Sequence, residues 1–223
     1  MTMKQVLLIG AGGHAREVLD VIESINDSSP QYEVLGYIVD PQYGTAGSMV
    51  NGVPILGGLE LLARYQKRAL VVCAVGPSHL RYGLVRRSQA EGCTFATLVH
   101  PSAIITRRVT LGAGVVVTAG CILTNQIVVG DHAHLNLGCT VGHDSILEPF
   151  VTLAQGVHVS GHVRIGTGSC VGTGVNIIQN INIGSWSIVG AGSTVIRDVP
   201  ANTTVVGVPA RVIKERCEGW QLE

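Results

Sequence analysis

From Ile105 to Val195 every sixth residue is Ile, Leu or Val, sixteen positions without an exception. A half-buried strand repeats every two residues and a helix every 3.6, so a strict period of six fits neither. It fits a chain in which short strands alternate with corners, three hexads closing one 18-residue coil of a β-solenoid. Two residues before each aliphatic runs a column of small or β-branched residues, from Val109 and Val115 through Cys121, Ser145 and Ser169 to Ser193. Glycine often follows the aliphatic, at 112, 130, 142, 166, 172, 184 and 190. Stacked coils would bury both columns in one aliphatic core. An ordinary β-sandwich predicts no such period.

Residues 4–100 follow another pattern. "KQVLLIG", "EVLGYIVD", "ALVVCAVG" and "TFATLVH" read as strands. "HAREVLDVIESI", "GGLELLARYQK" and "PSHLRYGLVRRSQAEG" read as helices between them. Strands alternating with helices imply a parallel sheet with crossover connections, here about half of a full dinucleotide-binding fold. The expected division is an α/β unit over 1–100 and a coiled unit with a C-terminal tail over 101–223.

Charged residues are 13% of the chain, hydrophobic residues 46%, and the formal net charge is zero. With no basic stripe, nucleic acid is not an expected partner. No apolar run approaches the ~20 residues that span a bilayer, so no membrane insertion is expected. "MTMKQVLLIGAGG" reads as a first strand rather than a leader. The six cysteines show no CxxC spacing, which fits packed thiols in a reducing cytoplasm.

Two stretches carry candidate chemistry. His143 and Asp144 interrupt the coil pattern, and a carboxylate beside an imidazole can fix its tautomer and stabilise its cation. Residues 18 apart share a column, so Asn125 and Gly161 flank His143; Gly161 leaves a slot that a ligand arm would fit. A surface histidine on a turn remains open on these residues alone. His132, His134, His158 and His162 fall in four columns, and no metal site is expected from them. The second stretch, "GAGGHA", places Gly10, Gly12 and Ala15 between a strand and a helix. Such a turn presents backbone N–H groups to a diphosphate. Asp40, ending the second strand, would bond a ribose or base. NAD chemistry is the competing reading, but only half of that fold is present.

"LLIGAGGHAREV", "LVHPSAII", "NLGCTVGHDS" and "VVGVPARVI" together resemble the hexapeptide-repeat acyltransferases, and within them the NeuD/PglD-type sugar acyltransferases. The resemblance covers the full chain. It implies an N-terminal half-Rossmann-like α/β domain followed by an all-β left-handed parallel β-helix. It also implies a cytoplasmic homotrimer with acetyl-CoA between neighbouring β-helices. The implied reaction is acetylation of the amino group of a nucleotide-linked amino sugar resembling bacillosamine or perosamine. O-acetylation of a sialic acid and a non-catalytic scaffold are the alternatives.

The same resemblance implies roles. His143 would be the general base and Asp144 its orienter. Gly10, Gly12, Gly13, His14, Asp40, Gly76 and Arg81 would hold the nucleotide sugar, with Asn136 near the reacting centre. Thr152, Gly161, Gly190, Ala191, Gly207 and Pro209 would line the acetyl-CoA site. Two positions depart from the family pattern. Asp144 stands where Glu is frequent, and Thr152 stands where a second histidine is frequent. His134 shares the Thr152 column one coil earlier.

Overall fold

The structure, a computed structural model, describes residues 3–222; residues 1, 2 and 223 of the expected spans lie outside that range. The chain opens with β1 (Lys4–Ile9), α1 (Gly13–Ser28), β2 (Tyr32–Ile38), β3 (Met49–Val50), β4 (Val53–Gly57), α2 (Leu62–Tyr65), β5 (Ala69–Cys73) and α3 (Ser78–Ala90). The sheet order is β3-β4-β2-β1-β5, parallel except for the β3–β4 pair. Central β1 buries both Leu7 and Leu8 completely, as a strand covered on both faces must. α1 buries Val18, Leu19, Val21, Ile22 and Ile25, the stripe its spacing predicts.

Three elements differ from expectation. "GGLELLARYQK" forms only a 3₁₀ turn, Leu59–Leu61, and a single α turn, α2, with Leu62 its one buried residue. Too little of it is covered by the core to support a longer helix. "TFATLVH" does not complete the first sheet. Phe95 makes one isolated bridge to Val71, and β6 (Leu98–Val99) pairs instead with Val116–Val117 of the coils. The β3–β4 hairpin was not expected, although Asn51-Gly52 signals it. Both residues take positive φ, 46° and 76°, as a two-residue hairpin turn of this kind requires.

Beyond β6 the chain winds as a three-sided parallel β-helix of two-residue strands. Strand residues pair with those 18 positions on, as in Thr140↔His158 and Val141↔Val159, until the last coil, where the step is 16, as in Ile188↔Thr204. From Val115 to Val195 both predicted inward columns are buried. Each inward Val, Leu or Ile contributes roughly 1.5–3 kcal/mol. The inward serines tie coils together. Ser145 Oγ donates to Ser160 O at 3.1 Å and accepts from Val163 N at 3.2 Å. Ser169 and Ser187 repeat this pattern with Gly184 O and Pro200 O.

The three edges differ in residue type. One carries five glycines, Gly120, Gly138, Gly156, Gly174 and Gly192, each with positive φ. The second carries His132, Phe150 and Trp186, and the third Gln126, Asp144, His162 and Asn180, all in the same left-handed conformation. The second edge receives the α/β unit. Tyr82 packs edge-on against Phe150 and Trp186, at 5.1 and 5.4 Å between ring centroids. His132 stacks on Phe150 and meets Phe95 edge-on. The adjoining face, carrying His134–Leu135 and Thr152–Leu153, therefore lies under the α/β unit. The third edge lies opposite that face.

Among the described residues no helix is long and apolar enough to cross a membrane.

Candidate active site

His143 sits on the third edge, between the Thr140–Val141 and Ile146–Leu147 strands. The turn there puts Asp144 at φ 59°, with its N–H donating to Asn125 O. This geometry aims the carboxylate at its own neighbour: His143 Nδ1 and Asp144 Oδ2 are 2.8 Å apart. A carboxylate only accepts, so Nδ1 holds the proton and Nε2 is bare when the ring is neutral. Gly161 lies beneath the ring, and a Cβ there would stand 2.7 Å from both Cε1 and Nε2 of His143. The expected slot beside the imidazole is thus occupied by the imidazole itself. The missing side chain makes room for the base. His162, one coil beyond Asp144, was not connected to this pair. Its Nε2 lies 3.7 Å from the same Oδ2, and its ring stands perpendicular to His143 at 5.1 Å.

The second group of candidates surrounds a cleft of about 620 Å³ at the end of the α/β sheet. Gly10, Gly12, Gly13, His14, Asp40 and Gly76 all line it. Gly10 has φ 100°, and a Cβ there would press at 3.1 Å on Ala74 O and Val75 Cγ2, so glycine is required. α1 starts with no side-chain cap, so its leading N–H groups are open to an anion in the cleft. Asp40 accepts from Gln42 N. Tyr43, Leu80 and Arg87 also line the cleft and were not anticipated.

Arg81 is not a ligand residue. It is fully buried and points from α3 into the β-helix. Its Nε donates to His132 O, its Nη1 to Val75 O and Gly76 O, and its Nη2 to Phe150 O, Val151 O and Thr152 Oγ1. Every N–H of the guanidinium is committed. Burial lowers its pKa to about 10, which leaves it charged at neutral pH. Thr152 is removed from the acetyl-CoA set for the same reason. It is 5% exposed and also bonds Ser78 Oγ at 3.0 Å. The cation that does reach the cleft is Arg87, six residues further along α3.

His14 is committed on both nitrogens, to Glu17 Oε2 at 3.3 Å and to His134 Nδ1 at 3.0 Å. Glu17 selects the tautomer: His14 Nδ1 donates to it, and His14 Nε2 accepts from His134 Nδ1–H. The cleft therefore meets no free N–H of His14. Burial, partly offset by Glu17, lowers the His14 pKa. Burial with Arg81 beyond it lowers that of His134 further. Asn136, 8% exposed, donates from Nδ2 to Leu153 O at 2.9 Å, and its Oδ1 has no partner among the described residues. Gly190 lies in the Asn136 column, backed by Val206. Ala191, Gly207 and Pro209 are exposed near it, beside the glycine edge.

Similarity to known proteins resolves the family. The PglD N-terminal domain family matches residues 5–88. The perosamine N-acetyltransferase of Caulobacter crescentus, solved with CoA and GDP-perosamine, is 32% identical, with 96% of this chain and 99% of that one aligned and a TM-score of 0.86. The chain belongs to the PglD-type sugar acyltransferases. The acetyltransferase domain of PglB from Neisseria gonorrhoeae, solved with acetyl coenzyme A, is also 32% identical at a TM-score of 0.86, over 95% of this chain and all of that one. The UDP-N-acetylbacillosamine N-acetyltransferase of Bacillus subtilis is 35% identical over 120 residues, so the match spans about half of that relative, 52%. The solenoid is accordingly the left-handed β-helix that the resemblance implied.

Proposed function

We propose that this chain acetylates the amino group of a nucleotide-linked amino sugar, with acetyl-CoA as donor and His143 as general base. The observation that carries the reading is the His143–Asp144 pair, 2.8 Å apart with Nε2 left bare. The neutral sugar amine attacks the thioester carbonyl, and its N–H proton passes to His143 Nε2. Asp144 stabilises the imidazolium. The tetrahedral intermediate then collapses, the C–S bond breaks, and the imidazolium returns its proton to the departing CoA thiolate. A base placed this way contributes about 10²–10⁴ in rate. In the cleft, the N-terminus of α1 would face the diphosphate, Arg87 would add positive charge, and Asp40 would bond the ribose or base. A free sialic acid has no diphosphate for that helix end, which favours the nucleotide-sugar substrate.

The reading includes a homotrimer in the cytoplasm. The cleft lies on the face opposite the His143 edge, so one chain does not bring the two together. The expected acetyl-CoA residues also divide, Gly161 under His143 and Gly190, Ala191, Gly207 and Pro209 beside the glycine edge. A neighbouring β-helix would join each half to its complement. Ile104 and Val128, 60% and 46% exposed on the faces that meet at the His143 edge, provide apolar surface for that contact.

The test is thiol release from acetyl-CoA with UDP-, GDP- and dTDP-linked amino sugars. His143→Ala is expected to lower kcat by about 10²–10⁴ with the fold intact. A kcat within threefold of wild type in that variant would refute the assignment.

A further inference from the structure

Asp144 has a second neighbour that the mechanism above does not use. His162 occupies the next corner of the same edge, 18 residues on, and its backbone N–H donates to His143 O at 2.8 Å. Its Nε2 is 3.7 Å from the Asp144 oxygen that receives His143 Nδ1. That distance is too long for a hydrogen bond. The ring therefore leaves the His143–Asp144 bond intact while occupying the space into which the carboxylate could swing. Its plane stands at 90° to the His143 ring, with centroids 5.1 Å apart.

The surroundings make these contacts consequential. Asp144 and His143 are partly open to water, with side chains 35% and 59% exposed. A single hydrogen bond at an exposed corner competes with solvent and holds a side chain weakly. Below the ring, Gly161 gives a floor without a Cβ. To the side, His162 gives a wall. Ser145, buried between them, ties the coil of His143 to that of His162 through Ser160 O and Val163 N. His162 also holds φ 56°. Glycine would adopt that conformation without steric strain, as it does at five corners of another edge.

We propose that His162 is a positioning residue for the general base, confining the His143 ring and the Asp144 carboxylate to the arrangement that keeps Nε2 bare and aimed at the acceptor amine. The proposal rests on the acetyl-transfer reading given above. It follows that the short reach of aspartate makes His162 necessary. A glutamate at 144, one methylene longer, would span more of the corner and depend less on that wall.

The experiment is a double-mutant cycle between positions 144 and 162, read as kcat and as KM for both substrates. His162→Ala is expected to lower kcat about tenfold with each KM within about twofold, because the base is misdirected while binding is untouched. His162→Phe, which keeps the ring but not its nitrogens, should retain kcat within about threefold. In an Asp144→Glu background, His162→Ala should cost less than about twofold. A structural role alone would not be rescued in this way. If His162→Ala fails to fold, His162→Gln supplies the same reading, since it too removes the ring. An unchanged kcat in the variant lacking the ring, or an equal loss in both backgrounds, overturns the proposal. His143→Ala run in parallel separates the failures. If it is inactive while the His162 variants are normal, only the positioning role falls; if it is active, the acetyl-transfer assignment falls first.

Discussion

Replacing Arg81 tests whether this buried cation joins the α/β unit to the β-helix. Its guanidinium is fully buried and donates to two carbonyls of the α/β unit, Val75 and Gly76, and to His132, Phe150, Val151 and Thr152 of the coils. Among the described residues no carboxylate pairs with it, and its acceptors are all neutral. Arg81→Ala would remove every one of these donors and leave a void. Hydrogen bonds to a charged group contribute about 1.5–3 kcal/mol each, but desolvation of the cation offsets much of their sum. A net loss of about 3–5 kcal/mol follows. For a chain of this size each kcal/mol moves Tm by roughly 2–4 °C, so Tm should fall by roughly 6–20 °C. Because the bonds to His132, Phe150, Val151 and Thr152 cross the junction, calorimetry should also show separation of the melting of the two units. Arg81→Met fills most of the void without donors and should lose nearly as much, whereas Arg81→Lys, with three donors from a single point, should recover under half. A single transition within about 2 °C of wild type for both Ala and Met would refute the reasoning.

Acid should loosen the same junction. Burial lowers His132 to about 4, against 6.5 in the unfolded chain, and lowers His134 as well. Stability present above pH 6.5 is therefore lost as pH falls toward 4, by roughly 2 kcal/mol for His132 at pH 5 with a loss of the same sign for His134; a Tm unchanged between pH 7 and 5 would contradict this. Gly161→Ala should displace the His143 ring, lowering kcat at least tenfold while Tm stays within about 2 °C, because only the Cβ contact at 2.7 Å intervenes. Arg87→Ala should raise KM for the nucleotide sugar about tenfold and leave KM for acetyl-CoA unchanged, a split that initial-rate kinetics would show directly.

The coil columns were legible in the sequence because their burial follows from a strict period. Inward Ser145 and Ser169 fitted that period despite being polar, and the structure shows their hydroxyls bonded to adjacent coils. The side of α3 that Arg81 occupies was not legible. A short helix with arginines at 81, 86 and 87 does not reveal in its spacing which one meets the β-helix and which the cleft. Likewise the burial of Thr152 depends on Ser78, which is 74 residues away in sequence. Asp144 and His162 are 18 apart, so their shared column was legible. Column arithmetic alone does not show the link between them, because it places the two residues in register without showing that both side chains turn toward His143. Asn51-Gly52 was equally visible as a turn, but strands as short as β3 and β4 leave too little alternation to flank it.

The ladder of coils also acts as a ruler. As far as the Asn176↔Thr194 pair, strand residues pair with those 18 positions on, so height along the axis comes in steps of about 4.8 Å, the spacing of adjacent strands. The distance from His143 to the wall around Gly190 is therefore a whole-chain property, set by how many coils intervene. Point substitutions can roughen or smooth the track between them but cannot lengthen it. A relative adapted to a donor of different reach would have to gain or lose complete turns, and insertions of any other length would break the column that buries the core.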